Sequence, residues 1–175
     1  MENNPQKATG NAYQSEDSED LLGLVKSLID GTHPGVLTTV EASGRPHARW
    51  MATISLDDFP RIYSLTSDKS RKVGEIEHNP AVNWMFSSPD LSMVVNLAGT
   101  ARILRDSKSL IMTWNQIRNK SRAYFLRNCT ESPGYVTIET IVHSVECCTP
   151  QNAMRFAIPL HELKIPAHGI DPDFP

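Results

Sequence analysis

Apolar residues recur at two different spacings along the chain, and the spacing changes near residue 35. Between residues 18 and 31 they recur every three or four positions: Leu21, Leu22, Val25, Leu28 and Ile29. This spacing predicts an amphipathic helix that ends at Gly31 and packs one face against a sheet. Residues 1–17 before it are polar and acidic without any period, which predicts a disordered tail.

Beyond residue 35 the pattern becomes strand-like, with turns rich in Gly, Pro, Asp and Ser between the apolar segments. It predicts strands over residues 36–40, 46–55, 61–66, 81–86, 92–104, 135–147 and 153–158. Gly99 lies inside one of these strands and indicates a bulge or a tight bend. Two further helices are predicted, one over residues 70–78 and one that begins at Asp106 or Ser107.

Many strands with few, short helices in 175 residues are typical of one mainly β domain. We expect an antiparallel barrel with helices packed outside it, in which the two hairpins before residue 70 form a meander that wraps round. A parallel nucleotide-binding sheet is disfavoured, because no Gly-x-Gly-x-x-Gly follows a strand. No linker divides the chain, so the domain is expected over residues 18–165, followed by a C-terminal tail at 166–175.

Charge and composition argue against several kinds of partner. The net charge of −3 disfavours nucleic acid, because duplex binding needs a basic face. No apolar run approaches the length of a membrane span, and the first residues lack the features of a signal peptide. Three cysteines, an odd number, then favour a reduced, cytoplasmic protein. Adjacent Cys147 and Cys148 should point to opposite faces of a strand, and together with His143 they lack structural zinc spacing, so no metal site is expected.

One run combines a hydroxyl with two cations at the predicted start of a helix: Ser70, Arg71 and Lys72. First-turn backbone N–H groups have no partner inside a helix, and the helix dipole favours an anion there. Arg71 can add a planar fork and Lys72 a point charge. Two interpretations stay open: a phosphate site, or a capped surface helix with two solvated cations. Further ligand contacts nearby would favour phosphate, and Thr66 and Arg49 are the candidates.

Arg49 lies in the middle of the strand predicted over residues 46–55. Because side chains alternate along a strand, this one has two faces: Arg49, Met51 and Thr53 on one, Trp50 and Ala52 on the other. An arginine in an otherwise apolar strand needs an anion or a carboxylate, unless the strand faces solvent. A ligand and a partner within the fold are both open. No nucleophile system is evident, so any reaction is expected to come from a cofactor.

The order and spacing of these motifs resemble the FMN-binding split barrels, which are the pyridoxamine 5′-phosphate oxidase-like proteins, and among them the general stress protein 26 group. The resemblance covers residues 20–140. It rests on a leading helix followed by a strand like Gly35–Val40 and a turn and strand like Gly44–Met51, which includes Arg49-x-Met51. Further along the chain it rests on Leu65-Thr66, Ser70-Arg71-Lys72, Asn79-Pro80, and the strand Val95-Asn96-Leu97-Ala98-Gly99-Thr100-Ala101 that continues to Asp106. It implies an antiparallel split β-barrel homodimer with FMN in clefts at the subunit interface.

The resemblance also implies roles for particular residues. Arg71 and Lys72 would bind the FMN phosphate, with Ser70 supporting them. The remaining cofactor-binding residues would line the ribityl chain and the ring, partly through backbone groups: Arg49, Trp50, Met51, Ala52, Thr53, Leu65 and Thr66. These assignments agree with the independent interpretation of the helix start as an anion-binding position.

Departures from the family pattern argue against oxidation of vitamin B6. Pyridoxamine 5′-phosphate oxidases carry a lysine where Ile54 stands and a glutamine where Val94 stands, and residues 151–175 lack their arginine and histidine substrate motif. We expect a flavin-dependent oxidoreductase with NAD(P)H or a small molecule as electron donor. The alternatives are a non-catalytic, stress-related flavin carrier or sensor, or the same fold with F420 or haem. Haem is less favoured, because no histidine stands out as an axial ligand.

Overall fold

A computed structural model of the chain describes residues 23–29, 33–55, 59–120, 134–150 and 154–158. The predicted tails at 1–17 and 166–175 lie outside the described residues, as do Leu21, Leu22 and Gly31 of the first predicted helix. Three helices are described: α1 over residues 23–28, α2 (Arg71–His78) and α3 (Ser107–Lys120). None of these described helices has the length and apolar character needed to cross a membrane.

Eight strands among the described residues form one antiparallel sheet. They are β1 (Gly35–Val40), β2 (Pro46–Met51), β3 (Thr53–Ile54), β4 (Arg61–Ser67), β5 (Ala81–Ser87), β6 (Val94–Leu104), β7 (Tyr135–Thr149) and β8 (Met154–Ile158). The order across the sheet is β2-β1-β5-β6-β7-β4-β3, and β8 lies beside β7. The predicted class, mainly β with flanking helices in an antiparallel split barrel, is confirmed.

The two end strands of this order, β2 and β3, are separated in sequence only by Ala52. The prediction of one continuous strand over residues 46–55 was therefore wrong, because β2 pairs with β1 whereas β3 pairs with β4. The two hairpins do not form a continuous meander, since β2 and β3 are not neighbours in the sheet. A single residue joins the two ends of the sheet, so the sheet curves round until the ends meet. This junction closes the barrel.

β7 has two neighbours along one edge. Its first half pairs with β4 and its second half with β8. Along its other edge β7 pairs with β6, where the register shifts between Ala98 and Gly99. The bulge predicted at Gly99 is confirmed. A Cβ atom at this position would lie 2.4 Å from the carbonyl oxygen of Ile141, so only glycine fits without a shift of the backbone.

The barrel interior holds the main hydrophobic core, in which Trp84 and Phe86 of β5 are almost fully buried. The described part of the first predicted apolar helix face also packs there: Val25, Leu28 and Ile29. Cys147 lies in this core, and burial raises the pKa of its thiol to about 12, whereas Cys148 is partly exposed. The prediction that these two side chains point to opposite faces is confirmed, and both are free thiols.

A second apolar cluster packs α3 against β3 and β4 on the other face of the sheet: Ala52, Ile54, Tyr63, Leu65 and Ile117. Residues of β4 therefore alternate between two environments, since Ile62 belongs to the interior core and Tyr63 to the cluster beneath α3. As predicted, Asp106 caps the start of α3: its carboxylate accepts a hydrogen bond from the backbone N–H of Ser109 at 2.8 Å.

Candidate functional site

The α2 helix begins where β4 ends, at the position predicted from sequence. Ser70 has an extended backbone at the N-cap position, but its side chain makes no capping hydrogen bond. Its hydroxyl oxygen accepts a hydrogen bond from the ammonium group of Lys72 instead. No acidic residue lies in the first turn. The Val73 N–H donates to the Ser70 carbonyl oxygen at 2.9 Å, so the N–H groups of Arg71 and Lys72 are the ones that can bind an anion.

Lys72 connects the start of α2 to β4. Its Nζ donates to Thr66 Oγ1 at 2.9 Å and to Ser70 Oγ at 2.5 Å, which orients the ammonium group. An ammonium group has three donors, so one is left for a ligand. Desolvation by burial, and then the charge of Arg49, lower the pKa of Lys72 below the usual lysine value. A bound phosphate would reverse this effect, because an opposite charge favours the ionised form.

A cavity of about 290 Å³ lies beside Lys72. Seven residues line it: Trp50, Met51, Leu65, Thr66, Ser67, Lys72 and Tyr135. This lining combines apolar and aromatic side chains with a few polar groups, as is typical of small-ligand sites. The volume lies just below the range of roughly 300–1,000 Å³ for such sites. The Trp50 side chain borders solvent and is 68% exposed.

Of the ten cofactor-binding residues predicted from sequence, the structure brings five together in the lining of this cavity: Trp50, Met51, Leu65, Thr66 and Lys72. The other five are not among its lining residues: Arg49, Ala52, Thr53, Ser70 and Arg71. Ala52 belongs to the cluster beneath α3, and the Thr53 hydroxyl is buried without a hydrogen-bond partner among the described residues. Ser70 lies next to the cavity through its contact with Lys72. The cofactor roles of all ten residues stay predictions.

Ser67 and Tyr135 line the cavity but were not predicted. Ser67 is the last residue of β4 and lies opposite Tyr135, the first residue of β7. Ser67 directly follows the predicted Leu65-Thr66 pair, so its position in the sequence was a usable signal. Tyr135 carries no local signal, because only the long-range pairing of β4 with β7 brings it to the cavity. Its ring also packs against Trp114 of α3, with centroids 5.9 Å apart.

Arg49 has an ion-pair partner within the fold. Its Nη2 lies 2.8 Å from Oε2 of Glu75, and its Nη1 donates to Thr39 Oγ1 at 2.5 Å. Of the two alternatives for this arginine, the carboxylate within the fold is the one observed. Glu75 was not predicted as a site residue, because an acidic residue in a short polar helix is usually solvated. Here the packing of α2 on β1 leaves Glu75 only 5% exposed.

The carboxylate of Glu75 contacts four side chains on three elements. His47 Nδ1 lies 2.7 Å and Arg71 Nε 3.2 Å from Oε1, while Thr39 and Arg49 donate to Oε2. Desolvation alone would raise the pKa of this carboxyl. The hydrogen bonds from Thr39, His47 and Arg49 outweigh it and lower the pKa of Glu75 to about 2. Glu75 is therefore ionised at neutral pH.

An antiparallel split barrel with a cationic helix N-terminus beside a partly apolar cavity defines a class of small-ligand-binding proteins. The chain belongs to the family described as pyridoxamine 5′-phosphate oxidase like, whose model matches residues 20–147. The family resemblance drawn from sequence is thereby confirmed. Among curated proteins, no sequence matches this chain.

Solved structures show the same fold. General stress protein 26 from Bacillus anthracis is 25% identical with a TM-score of 0.58, over 78% of this chain and 97% of that one. A protein related to general stress protein 26 from Clostridium acetobutylicum is 17% identical with a TM-score of 0.67, and the match covers 86% of this chain and 99% of that one. A structure named F420 reductase is 20% identical with a TM-score of 0.54, and the match covers 69% of this chain and 94% of that one. The predicted similarity to the general stress protein 26 group is confirmed.

Proposed function

We propose that the protein binds FMN, with the phosphate at the start of α2 and the ring in the cavity, and acts as a flavin-dependent oxidoreductase. The observation that carries this proposal is the position of Lys72. Its ammonium group is oriented by Thr66 and Ser70 at a helix N-terminus, and it also lines a cavity with aromatic walls. A phosphorylated flavin needs both an anion site and an apolar site for a flat ring.

The donor set at the helix start fits a phosphate. Lys72 has one free donor, and the terminal amino groups of Arg71 have no partner among the described residues. Trp50, Leu65 and Tyr135 would contact the ring and exclude water from it. When bound, the flavin supplies hydride and electron transfer at its ring. The chain itself supplies binding, orientation and polarity, and no carboxylate or histidine lines the described cavity.

The cofactor assignment is tested by the ligand that the protein retains. We expect purified protein to be yellow and to release FMN on denaturation, which mass spectrometry identifies. The main alternative is F420, since a solved structure of this fold bears that cofactor in its name and a phosphate site suits either ligand. Recovery of F420 in place of FMN, or the absence of binding when each is added in excess, would contradict the proposal.

Catalysis is tested separately, by anaerobic mixing of the FMN-loaded protein with NADH or NADPH. Loss of flavin absorbance faster than in a control of free FMN and the same donor would support an oxidoreductase. Bound flavin that stays oxidised with both donors would instead support the alternative of a non-catalytic carrier or sensor. The cytoplasmic location and the identity of the donor stay predictions of the sequence.

We also propose that the protein works as a homodimer, in which a second copy closes the cavity. Residues directly opposite each other in an antiparallel sheet share a face. Two rows of opposite residues run across β2, β1, β5 and β6. One row consists of Trp50, Val36, Met85 and Asn96, and the other consists of Ala48, Thr38, Asn83 and Ala98. Neither row contains a charge, and depletion of charge is typical of an interface core. Trp50 belongs both to this face and to the cavity lining.

Replacement of Met85 by arginine should convert the dimer into a monomer. Met85 is 39% exposed near the middle of the uncharged face, and burial of an unpaired charge there is costly. Ile111→Arg is the matched control, because Ile111 is exposed on α3 and lies outside this face. Sedimentation velocity at micromolar concentration measures the result. A monomeric parent, or a Met85→Arg variant that stays dimeric, would contradict the proposal.

A further inference from the structure

We infer that Glu75 is a positioning residue for the phosphate site: it is held by the hairpin of β1 and β2 and fixes the guanidinium of Arg71. The inference rests on the proposed function, since it concerns recognition of the FMN phosphate. Glu75 does not line the cavity. It acts on the ligand through Arg71, four residues earlier on the same face of the helix.

Arg71 would otherwise be a free surface side chain. Its side chain is 71% exposed, and its one ion pair among the described residues joins Nε to Oε1 of Glu75 at 3.2 Å. This contact engages the inner N–H of the guanidinium and leaves the two terminal amino groups for a ligand. A long side chain that is already held in place loses less conformational freedom when it binds. The contact therefore prepares Arg71 for a phosphate.

The remaining contacts fix Glu75 itself. Thr39 of β1 and both His47 and Arg49 of β2 bind the same carboxylate, so the hairpin holds this carboxylate in place. Each carboxylate oxygen therefore faces two donor groups. The side-chain amide of glutamine has only one acceptor oxygen. Its NH₂ group would take the place of the other carboxylate oxygen and would face two donor groups there. Glutamine at this position cannot keep all four contacts.

A charge effect and a positioning effect of Glu75 would change the affinity for FMN in opposite directions when Glu75 is replaced by glutamine. Loss of the negative charge at Glu75 makes the surroundings of Arg71 and Lys72 more positive, which by itself would tighten phosphate binding. Loss of positioning would release Arg71 and weaken phosphate binding. The direction of the change in FMN affinity therefore distinguishes the two roles.

The experiment compares FMN with riboflavin, which has the same ring and no phosphate, in the full-length protein. Glu75→Gln should raise the Kd for FMN about tenfold, the equivalent of one weakened charge-assisted hydrogen bond, and should change the Kd for riboflavin less than about twofold. Glu77→Gln is the matched control, because it removes the same charge from an exposed position on α2 that pairs with Arg105. It should leave both constants unchanged.

A second pair of variants tests whether the effect passes through Arg71. In an Arg71→Ala background, Glu75→Gln should change the Kd for FMN by less than about twofold. Thermal melts verify folding. If Glu75→Gln does not fold, Glu75→Asp replaces it in the test. Aspartate keeps the charge, but its shorter side chain cannot contact both Arg71 and the hairpin. The same selective loss of affinity for FMN is therefore expected.

Three results would overturn the inference: tighter FMN binding by Glu75→Gln, equal loss of FMN and riboflavin, or a full effect that persists without Arg71. Equal loss of both ligands would show a role in folding only. A parent protein that does not prefer FMN over riboflavin would overturn the proposed phosphate site itself. That outcome is distinct, because it is seen in the parent before any substitution is made.

Discussion

Replacement of Arg71 and Lys72 together by alanine should weaken FMN binding by about 100-fold or more. A hydrogen bond to a charged group contributes about 1.5–3 kcal/mol, and each 1.4 kcal/mol corresponds to a factor of ten in affinity. Lys72 is partly buried and oriented by two hydroxyls, whereas Arg71 is mostly exposed and should contribute less. Riboflavin binding should change little, because that ligand has no phosphate.

The control for this double variant removes two positive charges elsewhere. Arg45 lies in the turn between β1 and β2, and Lys108 lies in the first turn of α3, and both are exposed. Arg45→Ala with Lys108→Ala therefore changes the net charge equally without touching the cavity. Fluorescence titration at constant ionic strength measures both Kd values, since salt screens exposed charges. An unchanged FMN affinity in the Arg71 and Lys72 variant would refute the phosphate assignment.

Replacement of Gly99 by alanine should lower the free energy of unfolding by about 3 kcal/mol, which is the upper end of the usual cost of an overpacking substitution. The added Cβ would meet the Ile141 carbonyl oxygen at 2.4 Å and Thr140 Cγ2 at 3.0 Å. The first of these atoms belongs to the backbone of β7 and cannot move without disturbing the ladder. A loss of this size is a large part of the 5–15 kcal/mol that stabilises a typical domain.

Gly74 provides the matched glycine control. It lies inside α2, and a Cβ there would meet no atom within 4 Å. Gly74→Ala should therefore stabilise the protein by about 0.5–1 kcal/mol, because alanine favours the helix. Urea unfolding followed by circular dichroism measures both variants. A Gly99→Ala variant within about 0.5 kcal/mol of the parent would show that the bulge tolerates a side chain.

The elements that could be predicted from sequence are those with strong local signals. Alternation and turn residues located β1, β4, β5, β6 and β7, and the glycine inside β6 located its bulge. The start of α2 followed from the hydroxyl and the two cations that precede a short helical pattern. Half of the predicted cofactor-binding residues meet at the cavity, and three of them, Leu65, Thr66 and Lys72, lie close together in sequence.

The elements that could not be predicted depend on contacts between distant residues. The break at Ala52 has no local signal in the sequence, so only the choice of neighbouring strand distinguishes β2 from β3. Glu75 gives no sign in the sequence that it will be buried beside Arg49, since the two lie 26 positions apart. Tyr135 reaches the cavity only after β7 has paired with β4.

The pairing of β4 with β7 has a consequence for synthesis on the ribosome. The paired residues lie between 68 (Ser67 to Tyr135) and 80 (Arg61 to Ile141) positions apart, so the edge of β4 stays open while the intervening chain is made. An open strand edge is a template for association with other chains. Closure over such a distance is also slow. The nascent chain is thus most prone to aggregate after β4 has emerged and before β7 has, and a chaperone that binds in this interval would raise the yield of folded protein.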